Sequence, residues 1–242
     1  MTRLAFISDT HLHHTKVTQF LTKKAGIDIL VHCGDFCEYH GTLGELGTFA
    51  DWCAMLLKKG YVKHIVVVAG NHDEILDETC PLTRKGWPEG PAMARDRFRR
   101  AGVIYLQDGA ATVEGLVFYG APWVGYCGDF AFQTTTPGED ERAFNHIRGP
   151  IDVLVTHSPP KGILDLMIRK DGYYDFTGSP ALRRAIERVK PRIHAFGHIH
   201  PRRGLYVTEF GTLCLNAALF NADGKPKNPP IIVDLKPRIS TE

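Results

Sequence analysis

Five short apolar runs in this chain each lead into side chains that can bind a metal ion. Leu4–Ser8 leads into Asp9-Thr10-His11, Ile27–His32 into Cys33-Gly34-Asp35, and Ile65–Ala69 into Gly70-Asn71-His72-Asp73. Val153–Thr156 leads into His157, and Ile193–Phe196 into Gly197-His198-Ile199-His200. Continuous apolar runs of this length predict strands buried on both faces, as in a parallel sheet covered by helices. In α/β sheets ligands gather at the C-terminal edge of the strands. One such ending carries little weight, since Asn71-His72-Asp73 alone is equally a turn with a helix N-cap. Five of them confine the chain to a fold that gathers these strand ends along one edge.

Between the runs lie amphipathic stretches. Thr42–Lys59 spaces Leu46, Phe49, Ala50, Trp52, Cys53, Leu56 and Leu57 as a helix does, and ends near Gly60. Ser179 caps a further helix with Pro180 in its first turn, and Ala181–Val189 places Leu182, Ala185, Ile186 and Val189 on one face. Arg95–Arg100 and the basic residues around Arg183 and Arg188 read as solvated helix faces. The later runs, Val103–Leu106, Ala111–Val113, Leu116–Tyr119, Leu205–Thr208, Thr212–Asn216 and Ile231–Leu235, follow one another through short turns. That pattern predicts antiparallel strands appended to a parallel centre. Thr79–Ala94 and Trp123–Asn145 read as long irregular loops. The second, with Tyr126, Phe130 and Phe132, is either a lid or substrate wall or a small satellite core.

At 242 residues the chain reads as one domain, 1–242, with a short tail over 236–242. A net charge of +2 offers nucleic acid little attraction, and no run approaches the ~18 apolar residues of a membrane span. The six cysteines are scattered without C-x-x-C pairs, and Met1-Thr2-Arg3 leads straight into a strand without a signal-peptide pattern. Both features point to a cytoplasmic domain with reduced thiols.

Collected, the strand-end residues are Asp9, His11, Asp35, Asn71, His157, His198 and His200. Such nitrogen and oxygen donors suit Mn²⁺, Fe²⁺, Zn²⁺, Co²⁺ or Ni²⁺. They are too many for one ion that must leave room for substrate, and enough for two ions sharing a carboxylate and a water. Asp35, beside Gly34, is the candidate bridge. Two dications against Asp9, Asp35 and a bridging hydroxide leave a positive site, which suits a phosphate ester. A metal pair roughly 3.5–4 Å apart can supply the nucleophile and clamp an in-line displacement at phosphorus. His72 then serves as a non-ligand that donates to a phosphoryl oxygen or protonates the leaving alkoxide. Glu38 is the first candidate for the carboxylate holding its imidazolium, and Asp73 the second. His198 and His200 read as alternate strand positions with both rings on one face. His13, His14, His32, His40, His64, His146 and His194 read as surface or satisfied histidines, with His13 and His14 near the mouth.

In this order the motifs resemble the calcineurin-like metallophosphoesterases. The resemblance puts Asp9, His11, Asp35, Asn71, His157, His198 and His200 at the metal-ligand positions and His72 at that of the catalytic histidine. Leu30–Glu38, Tyr105–Asp108, Tyr119–Trp123, Thr156–Pro160 and Asn228–Leu235 extend it to the MPPED-type branch, the metallophosphoesterase-domain-containing proteins. That branch is grouped with class III cyclic-nucleotide phosphodiesterases. The likeness runs from Leu4 to Leu235 and implies an α/β (α+β) fold. Its form is a four-layer αββα sandwich, two mixed sheets flanked by helices, with two divalent ions at one edge, Mn²⁺ foremost. Protein phosphatases of the superfamily carry Gly-Asp-x-Val-Asp-Arg-Gly. Here Gly34-Asp35-Phe36-Cys37-Glu38-Tyr39-His40 has no arginine, which argues against a phosphoprotein phosphatase. Some members of the branch have Gly for the first His of Gly-His-x-His; this chain keeps His198, which implies a full site.

The expected function is therefore a metal-dependent phosphodiesterase that hydrolyses small diesters such as 2′,3′-cyclic nucleotides by attack of a metal-bridging hydroxide. Its alternatives are a phosphomonoesterase or nuclease on the same site, and a non-catalytic protein-binding scaffold of the same fold. Neither a membrane partner nor an oligomeric state follows from the sequence.

Overall fold

Alternate side chains of the first strand, β1 (Thr2–Ile7), enter different cores: Leu4 and Phe6 join one, Ala5 and Ile7 another. A strand apolar on both faces needs a cover on each side. The computed structural model describes residues 1–38, 40–80, 87–168, 172–221 and 223–238, and in it both covers are present.

Along the chain β2 spans Ile29–Cys33, β3 His64–Val68, β4 Val103–Tyr105, β5 Gly109–Val113, β6 Leu116–Ala121, β7 Val124–Gly125 and β8 Gln133–Thr134. Then come β9 (Val153–Thr156), β10 (Leu166–Ile168), β11 (Tyr174–Phe176), β12 (Ile193–Phe196), β13 (Gly204–Val207), β14 (Leu213–Asn216) and β15 (Ile231–Leu235). The first large sheet has the order β15-β1-β2-β3-β4, parallel except for β15. The second has the order β13-β14-β12-β9-β6-β5, a parallel centre with antiparallel edges at β13 and β5. Leu4, Phe6, Val31, Val66 and Val68 of the first sheet share a core with Phe118, Val153, Val155, Ala195 and Leu215 of the second.

Helices close the outer faces. α1 (Leu43–Lys58) and α2 (Gly90–Arg100) set Leu46, Phe49 and Phe98 against Ala5, Ile7, Leu30 and Val67. α3 (Pro137–Asn145) and α4 (Pro180–Val189) set Phe144, Leu182 and Ile186 against Leu154 and Phe196. The result is the four-layer αββα sandwich. Thr42 and Glu45 form a capping box at the start of α1, and Ser179 caps α4 by accepting from the Leu182 amide at 2.9 Å. The basic faces are matched by acids: Arg95 pairs with Glu78 at 2.5 Å, Arg97 with Asp51, and Arg183 with Glu187 at 2.5 Å.

Two expectations change. The later strands are not a simple antiparallel meander, because β4 lies parallel to β3, while β6 and β14 each have a parallel neighbour opposite their antiparallel one. Short turns dictate pairing only within β5–β6 and β13–β14; β4 reaches its place through α2, which begins inside the stretch read as an irregular loop. Residues 81–86 of that stretch lie outside the described residues. Trp123–Asn145 likewise holds β7, β8 and α3, the last begun by a Thr136–Glu139 capping box. Within it Phe132 is core, whereas Tyr126 is exposed and Phe130 faces the site described below. Among the described residues no helix is long and apolar enough to cross a membrane.

Candidate metal centre

Parallel strands of both sheets end at the same edge of the sandwich. There the Ser8 amide donates to the Ala217 carbonyl at 2.9 Å, and the Leu219 amide to the Ser8 carbonyl at 2.8 Å, stitching the sheets together. The turns that follow are tightly bent. Asp9, His11, Asp35 and His198 all hold a left-handed backbone, at φ of 54°, 38°, 58° and 66°. Non-glycine residues adopt this region at a cost of about 1–3 kcal/mol each, and such strain concentrates at functional sites.

The motif glycines are explained by contact. A Cβ on Gly34, which has φ +99°, would lie 2.6 Å from His157 Nδ1. One on Gly70 would lie 2.6 Å from the Asp35 amide nitrogen, and one on Gly197 would overlap Ser8 Oγ and Asp9 Oδ2. Each glycine leaves the space that a candidate ligand occupies.

Three overlapping groups place ring nitrogens and carboxylate oxygens within 4.8 Å of one another: Asp9 with His11 and His200, Asp35 with His157 and His198, and His11 with Asp35 and His72. Asp9 Oδ1 is 3.2 Å from His200 Nε2, and both Asp9 oxygens accept from the His198 amide, at 3.0 and 3.1 Å. Asp35 Oδ2 lies 3.1 Å from His157 Nε2 and 3.9 Å from His11 Nε2, which puts it between the two sets. Asn71 Oδ1 is 3.2 Å from His157 Nε2. All seven candidate ligands therefore converge, drawn from both sheets.

The residues fit a divalent metal pair on their own chemistry. His11 Nδ1 faces the Cys37 carbonyl at 3.0 Å, and His157 Nδ1 the Cys33 carbonyl at 2.8 Å. A carbonyl only accepts, so both Nδ1 atoms carry the proton and Nε2 is the ligand atom, as in metal-binding histidines generally.

Burial pushes the Asp9 carboxyl up, but His200 and His157 outweigh it and hold it at about 2. Burial acts the same way on Asp35, and His157, His72 and His11 hold it well below the usual carboxylate range. Burial lowers the His157 imidazole, yet Asp35 and Asp9 raise it to about 9. Burial and the neighbouring His157 hold His198 at about 4. The buried anions thus recruit positive charge onto nearby imidazoles, a task that a bound cation takes over as protons leave.

His72, a member of the third group, differs from the others in its surroundings. Its backbone amide donates to Asp35 Oδ1 at 2.9 Å, its ring stands edge-on to His11 at 4.8 Å, and Phe130 covers it at 4.6 Å. Its Nδ1 is buried without a hydrogen-bond partner, so neither Glu38 nor Asp73 is the carboxylate behind it. Glu38 makes no hydrogen bond or ion pair with His72. The Asp73 carboxylate instead accepts from the amides of Asp35 (2.9 Å), Cys37 (3.0 Å) and Gly70 (2.7 Å), clamping the second and third ligand turns together. Its oxygens are turned to these backbone amides, and His72 Nδ1 receives no bond from them.

His198 and His200 do not share a face of a strand. β12 stops at Phe196, His198 turns left-handed, and a 3-10 turn begins at His200. His198 consequently faces His157, with ring centroids 5.1 Å apart, while His200 faces His11 at 5.4 Å. Asn216 stabilises this turn by donating to the Ile199 carbonyl at 2.9 Å, and Phe220 stacks on His200 at 5.5 Å. Neither stands out in the sequence, although Asn216 ends an apolar strand as the other site residues do. Of the remaining histidines, His13 packs on Phe220 at 5.6 Å near the site, whereas His14 is buried between Phe49 and Trp52. His32 and His194 are wholly buried.

Comparison with known proteins agrees with this architecture. Residues 2–202 match the calcineurin-like phosphoesterase family. Human metallophosphoesterase domain-containing protein 1 is 31% identical over 245 residues, covering 97% of this chain and 71% of its own length. A UPF0046 protein of Caenorhabditis elegans is 31% identical over 249 residues, covering 96% of this chain and 80% of its own. The crystal structure of TT1561 from Thermus thermophilus shares the fold, with a TM-score of 0.62, 10% identity, and coverage of 89% of this chain and 88% of its own. The chain belongs to the calcineurin-like phosphoesterases, in the group of the metallophosphoesterase domain-containing proteins.

Proposed function

We propose that the protein is a dinuclear metal-dependent phosphodiesterase acting on small diesters, with 2′,3′-cyclic nucleotides among them. The lining of the hollow above the metal centre carries this reading. That hollow, about 320 Å³, is bordered by His11, Asp35, His72, Phe130, Met167 and His200, and among the described residues no arginine or lysine lines it. A monoester dianion is commonly gripped by a guanidinium fork. A diester carries one negative charge and two organic arms, which suits apolar walls over a metal centre.

Asp9, His11 and His200 would hold one ion, and Asp35, Asn71, His157 and His198 the other, with Asp35 shared. Two divalent ions bound there would supply Lewis acidity and lower the pKa of an attacking water. His11 and His157 are kept in their ligating tautomer by the carbonyls of Cys37 and Cys33. His72 has its Nδ1 buried and its ring bordering the hollow, so Nε2 is the nitrogen that meets substrate. From there it donates to a phosphoryl oxygen or to the departing alkoxide. Phe130 holds the His72 ring in place and shields it from water on that side.

The test is a comparison of 2′,3′-cyclic AMP, 3′,5′-cyclic AMP and 5′-AMP as substrates with Mn²⁺ present. Ring opening of a cyclic nucleotide well above the rate of phosphate release from 5′-AMP is expected. Faster release from 5′-AMP would replace this reading with a phosphomonoesterase.

A further inference from the structure

Two wholly buried histidines lie beneath the metal centre without belonging to it: His32 on β2 and His194 on β12, one in each sheet. Each meets a threonine adjacent to candidate ligands, His32 in the turn that follows β1 and His194 at the end of the neighbouring β9. His32 Nε2 is 2.9 Å from Thr10 Oγ1, and Thr10 sits between Asp9 and His11. His194 Nε2 is 2.9 Å from Thr156 Oγ1, and Thr156 precedes His157.

The direction of both bonds follows from their surroundings. The Gly34 amide donates to His32 Nδ1 at 3.2 Å, so that nitrogen is bare and Nε2–H donates to Thr10. Thr156 spends its hydroxyl proton on the Ser158 carbonyl at 2.7 Å, so its oxygen must accept from His194 Nε2–H. His32 is therefore neutral, and His194, with the same Nε2–H donor and the same kind of target, has no acceptor for a second proton at Nδ1. Thr156 reaches across His157 to Ser158, a clasp around one ligand residue. Thr10 lies between two residues of left-handed φ, at 54° and 38°. Such backbone persists only where its surroundings over-determine it.

An ordinary core histidine satisfies itself wherever the chain allows. His194 does not: its Nδ1 is buried with no partner, a defect that an apolar residue would avoid. What the imidazole adds over an apolar side chain is one directed N–H. We propose that His32 and His194 are positioning residues, each holding a ligand turn through a threonine hydroxyl and so setting the affinity of the centre for its ions. This rests on the metal-centre reading above, but not on the identity of the substrate.

The experiment is calorimetric titration of metal-stripped full-length protein with Mn²⁺, for the parent and for Thr156→Val, Thr156→Ser, His194→Leu and His194→Gln. Outer hydrogen bonds to metal ligands typically contribute about 10–100-fold in affinity, and a loss of that size is expected for Thr156→Val and His194→Leu. Thr156→Ser keeps the hydroxyl and His194→Gln keeps an N–H near the Nε2 position, so both are expected to stay close to the parent. Thermal unfolding of each metal-free variant monitors the fold, and the near-isosteric Thr156→Val and Thr156→Ser pair decides if His194→Leu does not fold. Parent-like affinity in Thr156→Val overturns the proposal, as does an equal loss in Thr156→Val and Thr156→Ser. A parent that binds no Mn²⁺ overturns the metal-centre reading as well, which separates the two failures.

Discussion

Asp35 Oδ2 and His157 Nε2 stand 3.1 Å apart, while the other nitrogen of the same ring is held by the Cys33 carbonyl at 2.8 Å. This contact joins a turn of the first sheet to a strand end of the second, and it makes the state of the site depend on pH. Burial disfavours the imidazolium, but Asp35 and Asp9 prevail and raise His157 to about 9. Since this lies above the ordinary histidine value of about 6.5, the pair's contribution to metal-free stability is complete below about 6.5. It fades as pH rises through about 9. Metal binding has the opposite sign, because an ion takes the Nε2 lone pair only when the proton has gone.

Mn²⁺ affinity is accordingly expected to rise from about pH 6.5 to about pH 9, with about one proton released per chain from this ring at neutral pH. Calorimetry in buffers of different ionisation enthalpy measures both. A flat affinity without proton release would contradict the ligand role of His157.

His72 is expected to matter for turnover and not for holding metal. Its buried Nδ1 has no partner, and its ring borders the hollow beside Phe130. His72→Ala should keep the parent's metal-to-protein ratio by elemental analysis and lose roughly 10²–10⁴-fold in turnover. Parent-like turnover, or loss of bound metal, would remove it from that role.

Gly197 tests the steric account of the motif. A Cβ there would overlap Ser8 Oγ and Asp9 Oδ2, with Ser8 Cβ only 2.6 Å away, whereas one on Gly47 in α1 would meet nothing within 4 Å. Gly197→Ala should therefore weaken metal binding and lower the melting temperature, with overpacking costing about 1–3 kcal/mol or more. Gly47→Ala should instead stabilise by about 0.4–1 kcal/mol and leave metal binding alone. If the two variants melted and bound Mn²⁺ alike, close packing would not be what the motif glycine serves.

Acid should unfold the protein partly through its buried neutral histidines. Burial holds His14 at about 4, and His32 and His194 at about 3. These folded values lie below that of the unfolded chain, so the contribution is complete above about 6.5 and is lost as pH falls toward them, by up to about 1.4 kcal/mol per pH unit for each group. His14 lies 5.5 Å from Phe49 and 5.1 Å from Trp52, and its Nδ1 has no hydrogen-bond partner. His14→Phe should move the acid-unfolding midpoint, followed by circular dichroism, to lower pH. An unchanged or higher midpoint would mean that another group controls acid unfolding.

The ligand set was legible because apolar runs ending in Asp, Asn or His announce both a buried strand and something to hold at its end. Local sequence does not announce where a chain leaves its strand. His198 and His200 look like alternate strand positions, but the left-handed turn at His198 sends their rings to different groups. The partners of Asp73 were out of reach for a related reason. A carboxylate that accepts from the backbone at Asp35 and Cys37 is recognisable only once two distant turns lie side by side. Helix α3 is masked by its Gly and Pro content, although the capping-box spacing in Thr136-Pro137-Gly138-Glu139 marks its start. Phe220 had no signal at all, since nothing in its neighbourhood says that it will stack on His200.

The most direct measurement takes metal-free protein, adds Mn²⁺ stepwise, and compares initial rates on bis(4-nitrophenyl) phosphate and 4-nitrophenyl phosphate. The account predicts diester hydrolysis that rises until about two ions are bound per chain and clearly exceeds monoester hydrolysis at every step. Monoester hydrolysis that is faster, or diester hydrolysis that does not respond to metal, would contradict it.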